Sequence, residues 1–244
     1  MPEHPDQPIL SALQENEITL EGQFIQGSNY TFLGMLVDGD RQIRVVYKPI
    51  RGEQPLWDFP ARTLAKREVA AYIVSNALGW NLVPPTVYRR RKLPLGPGSL
   101  QLFIEHDPNH NYFTLREDYQ SEFEKVCLFD LLLNNADRKG GHILQDAAGK
   151  IWLIDHGLCF HLEYKLRTVI WDFAGKPIPA SLVADISRLL FQLEEPSNDI
   201  HDQLGTLISP VEIKAIQMRI TRLIESPIYP FPQGKNRPYP WPPI

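Results

Sequence analysis

Two aspartates lie in the stretch of this sequence with the most chemistry in it: Asp137 in NNADRKGGH, and Asp155 in IWLIDHG. An Asp in a loop behind an apolar helix, then a short strand pair, then a second Asp just before Gly157, places the two on neighbouring loop ends. Two carboxylates there can divide the work of phosphoryl transfer. One accepts the proton of the attacking hydroxyl, and the other holds a metal on the nucleotide phosphates. Lys139, close behind Asp137, could neutralise charge on the transferred group. Taken alone, Asp-Arg-Lys-Gly-Gly reads equally as a polar turn.

Two residues upstream extend the pattern. Lys48 ends the run RVVYK, where alternation sends Val46 and Lys48 to one face of a sheet. Glu68 sits in a helical pattern with Leu64, Ala71 and Tyr72 as its neighbours one turn away. A carboxylate on so apolar a surface needs a cation or a raised pKa, and Lys48 is the candidate partner. A snorkelling lysine and a rim glutamate is the plainer alternative. Gly27-Ser28-Asn29-Tyr30 joins two strand patterns and could turn backbone N–H groups toward an anion, or serve as a simple hairpin turn.

The elements that would position these residues fall into two groups. Residues 18–24, 31–37 and 43–47 read as strands, with Asp38-Gly39 as a hairpin signal. Residues 63–78 read as a helix closed by Gly79, and 86–89 and 99–104 as further strands. Beyond His106 the pattern turns helical. It includes 115–133 with its apolar VCLFDLLL half, a strand pair at 142–144 and 151–154, and helices at 181–193 and from Ser209. Ser209, Pro210 and Glu212 form a capping box. The last 19 residues hold seven prolines with aromatics between them, which favours polyproline II. The expected division is a loose leader over 1–17, a β-rich N-lobe over 18–105, a helical C-lobe over 106–225 and a proline-rich tail over 226–244.

Composition narrows the function classes. With 244 residues, 43% hydrophobic and 22% charged, the chain can bury a full core without disulfides. A net charge of −4 offers no overall basic field, so nucleic acid is not an expected partner. The two cysteines make no disulfide framework, no signal peptide or 18-residue apolar run is present, and a cytoplasmic location is expected. The basic run Arg89 to Lys92 allows peripheral contact with an anionic membrane, or is a solvated hairpin tip.

In their order along the chain these pieces resemble the atypical kinases related to phosphatidylinositol 3- and 4-kinases. They are most similar to the type II phosphatidylinositol 4-kinase branch and to small bacterial phosphatidylinositol-kinase-like proteins. IQGSNY resembles the phosphate-covering loop, VVYK the nucleotide lysine, REVAAYIVSNALGWNLVPPTV the lobe helix and its following strand, FDLLLNNADRKGGHIL the catalytic loop, and IWLIDHGLCF the metal loop. The resemblance spans Gly27 to Phe160, somewhat over half the chain.

It implies an α+β, bilobal protein-kinase-like fold with a β-rich N-lobe and a mainly helical C-lobe. It also implies an ATP- and divalent-metal-dependent phosphotransferase, using Mg2+ or Mn2+ and acting on a hydroxyl of a protein or an inositol lipid. Carried over by residue, Gly27, Ser28 and Asn29 would cover the phosphates, and Lys48 would contact them and pair with Glu68. The backbone of Leu102, Phe103, Ile104 and Glu105 would meet adenine. Asp137 would be the catalytic aspartate with Lys139 beside it, and Asp155 would bind the metal. Asp130 would accept hydrogen bonds from buried loop groups. His142 stands where the family has a metal-binding Asn, and imidazole suits Mn2+ or Zn2+ better than Mg2+. That departure keeps open a nucleotide-binding pseudokinase with a regulatory role, and AMP transfer on the same fold. His142, His156, Cys159 and His161 match no familiar zinc spacing.

Overall fold

The computed structural model describes residues 6–25, 29–195, 198–233 and 237–244. Strands β1 (Ile18–Phe24), β2 (Thr31–Asp38), β3 (Arg41–Pro49), β4 (Thr86–Arg89) and β5 (Gly98–Leu102) form one antiparallel sheet in the order β1-β2-β3-β5-β4. The β2–β3 hairpin turns at Gly39, whose φ of +61° suits a residue without a side chain. Alternation along β3 buries Ile43, Val45 and Tyr47 on one face and leaves Val46 and Lys48 on the other.

Residues expected to be a loose leader instead contain helix α1 (Gln7–Glu15), which buries Ala12 and Leu13 against Leu36, Val45, Tyr47 and Leu100. Its Pro8 lies in the first turn, where a missing N–H costs nothing, so prolines that suggest a loose segment here begin a helix. Helix α2 (Leu64–Ala77) is buried on nearly every side because it runs between the sheet, at β4 and β5, and the helical half of the molecule. Gly79, with φ +73°, ends it.

The remaining elements are α3 (Tyr112–Leu115), α4 (Gln120–Leu133), β6 (Ile143–Gln145), β7 (Ile151–Leu153), α5 (Ala180–Glu194), α6 (Asp199–Gly205) and α7 (Pro210–Glu225). The single helix expected over 115–133 is broken. Asn111 caps α3, and Tyr119 then leaves helical geometry, its hydroxyl accepting from Gln145 of the β6–β7 hairpin. Helix α4 buries Phe123 and every residue from Val126 to Leu133, including Asp130. Helix α6 escaped the sequence reading, although Asn198 caps it by accepting from Ile200 N–H. Cys127 and Cys159 are buried free thiols.

Candidate active site

The upper wall of the cleft comes from β3 and α2. Lys48 Nζ contacts Glu68 Oε1 directly and lies 2.9 Å from Asp155 Oδ1. Burial alone would lower the lysine pKa, but Asp155 and Glu68 together hold it above its ordinary value. Burial raises Glu68, with Lys48 opposing. The glutamate's second oxygen accepts from the His156 N–H at 2.9 Å, so one carboxylate of α2 joins β3 to the loop that follows β7.

The lower wall is the loop from Asn134 to His142. Asn134, at φ +53°, ends α4 and ties the chain back with its amide to the carbonyls of His161 and Glu163. Asp130 is wholly buried and accepts from Asn135 Nδ2, Arg138 Nε and the Thr168 hydroxyl, each at 3.0 Å. Arg138, also wholly buried, reaches the Ile154 carbonyl at 2.9 Å and His156 Nε2 at 2.7 Å. A guanidinium can only donate, so Nε2 of His156 is the acceptor and its proton sits on Nδ1, 4.0 Å from Glu68 Oε2. Arg138 is therefore the hub that fixes the backbone of the 134–142 loop to the Asp155 loop. Arg138→Met should cost about 3–5 kcal/mol in a denaturant titration, because Asp130 would lose its buried cationic partner. An Asp130→Leu/Arg138→Met double variant should recover a large part of that loss.

Between the walls stand Asp137, His142 and Asp155, each with one ligand atom within 4.8 Å of the others. His142 Nε2 is 3.4 Å from Asp155 Oδ2, and Lys139 Nζ is 3.4 Å from Asp137 Oδ2. Asp155 sits at φ +61°, a conformation that turns the chain between β7 and Gly157. Burial pushes Asp137 up to about 6, Lys139 opposing and Asp155 adding to it. Burial would also raise Asp155, but Lys48 and His142 hold it well below the carboxylate range. Burial lowers His142 to about 4, against the pull of Asp155, and lowers His156 far below its ordinary value. An ionised carboxylate, a neutral imidazole and a second carboxylate on one spot fit a divalent cation of the Mn2+ or Mg2+ kind.

These protonation states have a measurable consequence. The two imidazoles are neutral in the fold and protonate near pH 6.5 in the unfolded chain. The stability they contribute is thus complete above that pH and lost as pH falls toward the folded values. For His142 the loss is about 2 kcal/mol at pH 5. Asp137 acts oppositely, its raised pKa returning about 1 kcal/mol over the same interval. Glu68 and Asp130, also raised by burial, act in the same direction as Asp137 but are shared by a His142→Asn variant. Between pH 7 and pH 5 the wild-type melting midpoint should therefore drop relative to that of His142→Asn, and parallel pH profiles would contradict a neutral His142.

The other sequence-derived residues are placed as follows. Gly27 and Ser28 lie outside the described residues, while Asn29 Oδ1 accepts from Gln54 N–H at 2.7 Å and anchors that loop's far end. The N–H groups of Leu102 and Phe103 are engaged by the carbonyls of Pro85 and Arg44, and the Glu105 side chain pairs with Arg44 at 2.9 Å in solvent. His161 turns away from the cleft to the Asp58 carbonyl. The reading of the sequence missed Arg138, His156, Asn135 and Thr168 as a buried set. The one signal for them was Asp130, a carboxylate in an apolar run that had to find a cation.

The family model described as phosphatidylinositol 3- and 4-kinase matches residues 59–208, more than half of the chain. The chain belongs to the phosphatidylinositol 3- and 4-kinase family. It is 39% identical to Protein Rv2133c of Mycobacterium tuberculosis, over 95% of this chain and 94% of that one. It is 34% identical to phosphatidylinositol 4-kinase gamma 4 of Oryza sativa subsp. japonica over 51% of this chain, an alignment spanning only 26% of the plant enzyme. Among solved structures, the Golgi casein kinase with Mn/ADP bound superposes with a TM-score of 0.59 at 13% identity, covering 90% of this chain and 74% of that one. The Helicobacter pylori proinflammatory kinase CtkA superposes with a TM-score of 0.53 at 14% identity, covering 89% and 94%. This family member thus has the expected α+β, bilobal kinase fold, and no helix among its described residues is long and apolar enough to cross a membrane.

Proposed function

We propose that this protein transfers the γ-phosphate of ATP to a hydroxyl of a protein or an inositol lipid, with Mg2+ or Mn2+ held by Asp155 and His142 beside Asp137. The observation that carries the reading is the cleft itself, in which the Lys48–Glu68 pair of one lobe faces Asp137 and Asp155 of the other. Membership in a kinase family and the fold shared with a kinase bound to Mn/ADP support it.

Each side chain then has a task. Lys48, kept cationic by two carboxylates, is available to the nucleotide phosphates, and Glu68 fixes its position. A divalent cation bound at Asp155 would neutralise charge on the β- and γ-phosphates. Asp137, with a pKa raised to about 6, is poised to take the proton of the acceptor hydroxyl at neutral pH. Lys139 offers a positive charge beside it. The N–H groups of Leu102 and Phe103 are engaged and the Ile104 carbonyl is 2.8 Å from His106 Nδ1, so the adenine edge would fall to the N–H groups of Ile104 and Glu105.

The acceptor is the open term, and mass spectrometry can supply it. The protein would be incubated with ATP and Mg2+ or Mn2+ against lipid extracts and proteins of the source cell. A phosphate gained by either pool supports the proposal and names the acceptor class. A gain of AMP would replace it with nucleotidyl transfer, and nucleotide binding without modification would replace it with a regulatory pseudokinase.

A further inference from the structure

The proline-rich tail leads to the catalytic loop. It leaves α7 and is pinned at Tyr229, which is buried. The Tyr229 N–H donates to the Lys176 carbonyl at 3.0 Å, its own carbonyl accepts from Gly175 N–H at 2.8 Å, and its hydroxyl donates to the Glu124 carbonyl at 2.9 Å. The Phe231 ring then covers Gly175, where a Cβ would come within 2.7 Å of it.

Residues 237–244 run along the outside of the loop that carries Asp137. The Pro243 carbonyl accepts from Gly140 N–H at 2.7 Å. The Pro238 carbonyl accepts from Thr168 N–H and from Trp171 Nε1, both at 3.1 Å. Two of these three donors, Gly140 and Thr168, matter to the site. Gly140 is sandwiched, since a Cβ there would meet the Phe113 ring at 2.8 Å on one side and the Pro243 carbonyl at 3.5 Å on the other. Beside it, a Cβ on Gly141 would touch Ile244 at 3.9 Å. The tail thus packs at van der Waals distance along both glycines, and it is the Phe113 ring that leaves no room for a side chain at Gly140. Thr168 bridges to Arg138 through the backbone and to Asp130 through its hydroxyl, so it belongs to the hub that holds the Asp155 loop.

We infer that residues 237–244 are a strap that positions the catalytic loop through the carbonyls of Pro238 and Pro243. Proline suits the task because it removes backbone donors while keeping acceptors, and because a polyproline segment is ordered at little entropic cost. Among the described residues, the strap's hydrogen bonds go to Gly140, Thr168 and Trp171 and to none of the side chains of Lys48, Glu68, Asp137 or Asp155. The strap lies outside the stretch matched by the family model.

The kinetic part of this inference rests on the phosphotransferase reading, so its test has an arm that does not. In the full chain, residues 237–244 would be replaced by Gly and Ser at equal length, with Tyr229 retained. Amide exchange at 138–142 and 167–171 should quicken by at least about tenfold while exchange in α5 and α7 stays as in the wild type. Turnover should fall by about 10- to 100-fold with the KM for ATP within about twofold, as expected when reacting groups lose their alignment. Unchanged exchange in those segments of a folded variant, or turnover that is equal or higher, would overturn the strap. If the wild-type chain transfers no phosphate to any acceptor, the functional reading fails, and the exchange result alone decides the strap.

Discussion

Asp137→Ala is expected to lower phosphoryl transfer by about 10²- to 10⁴-fold while leaving ATP affinity within about threefold. The carboxylate is held on the loop by its own N–H, which donates to Asn135 Oδ1 at 3.0 Å, so the side chain is placed by the backbone rather than by the nucleotide. Its raised pKa comes from burial and from Asp155, both of which remain when ATP is absent. Its removal therefore affects the acceptor proton more than the phosphates. Single-turnover kinetics with calorimetric ATP binding would separate the two. A variant that keeps its turnover, or loses affinity and turnover together, would contradict the assignment of Asp137 to the acceptor.

The second large effect is expected at Asp155. Asp155→Ala should weaken metal-dependent ATP binding by at least about 100-fold, since even outer partners of a metal site are worth about 10- to 100-fold. Removing this carboxylate also frees Lys48, which keeps Glu68 as its partner. A titration of ATP affinity against Mn2+ and Mg2+ would show the loss as a vanished metal dependence. A metal dependence like that of the wild type would place the cation elsewhere.

The cleft was legible in the sequence where a single periodicity decided the outcome. Alternation along RVVYK put Lys48 opposite the buried Val45 and Tyr47, and the apolar neighbours of Glu68 required a cation, which the structure supplies. The strands, α2 and the α7 capping box were legible for the same reason: each is a local pattern. What could not be read are contacts made across long distances by residues whose types say otherwise. Arg138 lies in a run that looks like a solvated turn, and only its meeting with Asp130 and His156 puts it in the core. Asp6, Pro8 and the polar residues around them mask the spacing of Ile9, Leu10 and Leu13 that makes α1. The tail has no periodicity, and its carbonyl acceptors gain meaning only beside Gly140 and Thr168.

The most direct measurement is transfer from ATP labelled separately in its γ- and α-phosphates, in the presence of Mn2+ or Mg2+ and the cell's own acceptors. The γ-label should appear on an acceptor only with the divalent cation present, and not with Asp137→Ala. Transfer of the α-label, or none from a folded chain that binds ATP, would contradict a γ-phosphate pathway through this cleft.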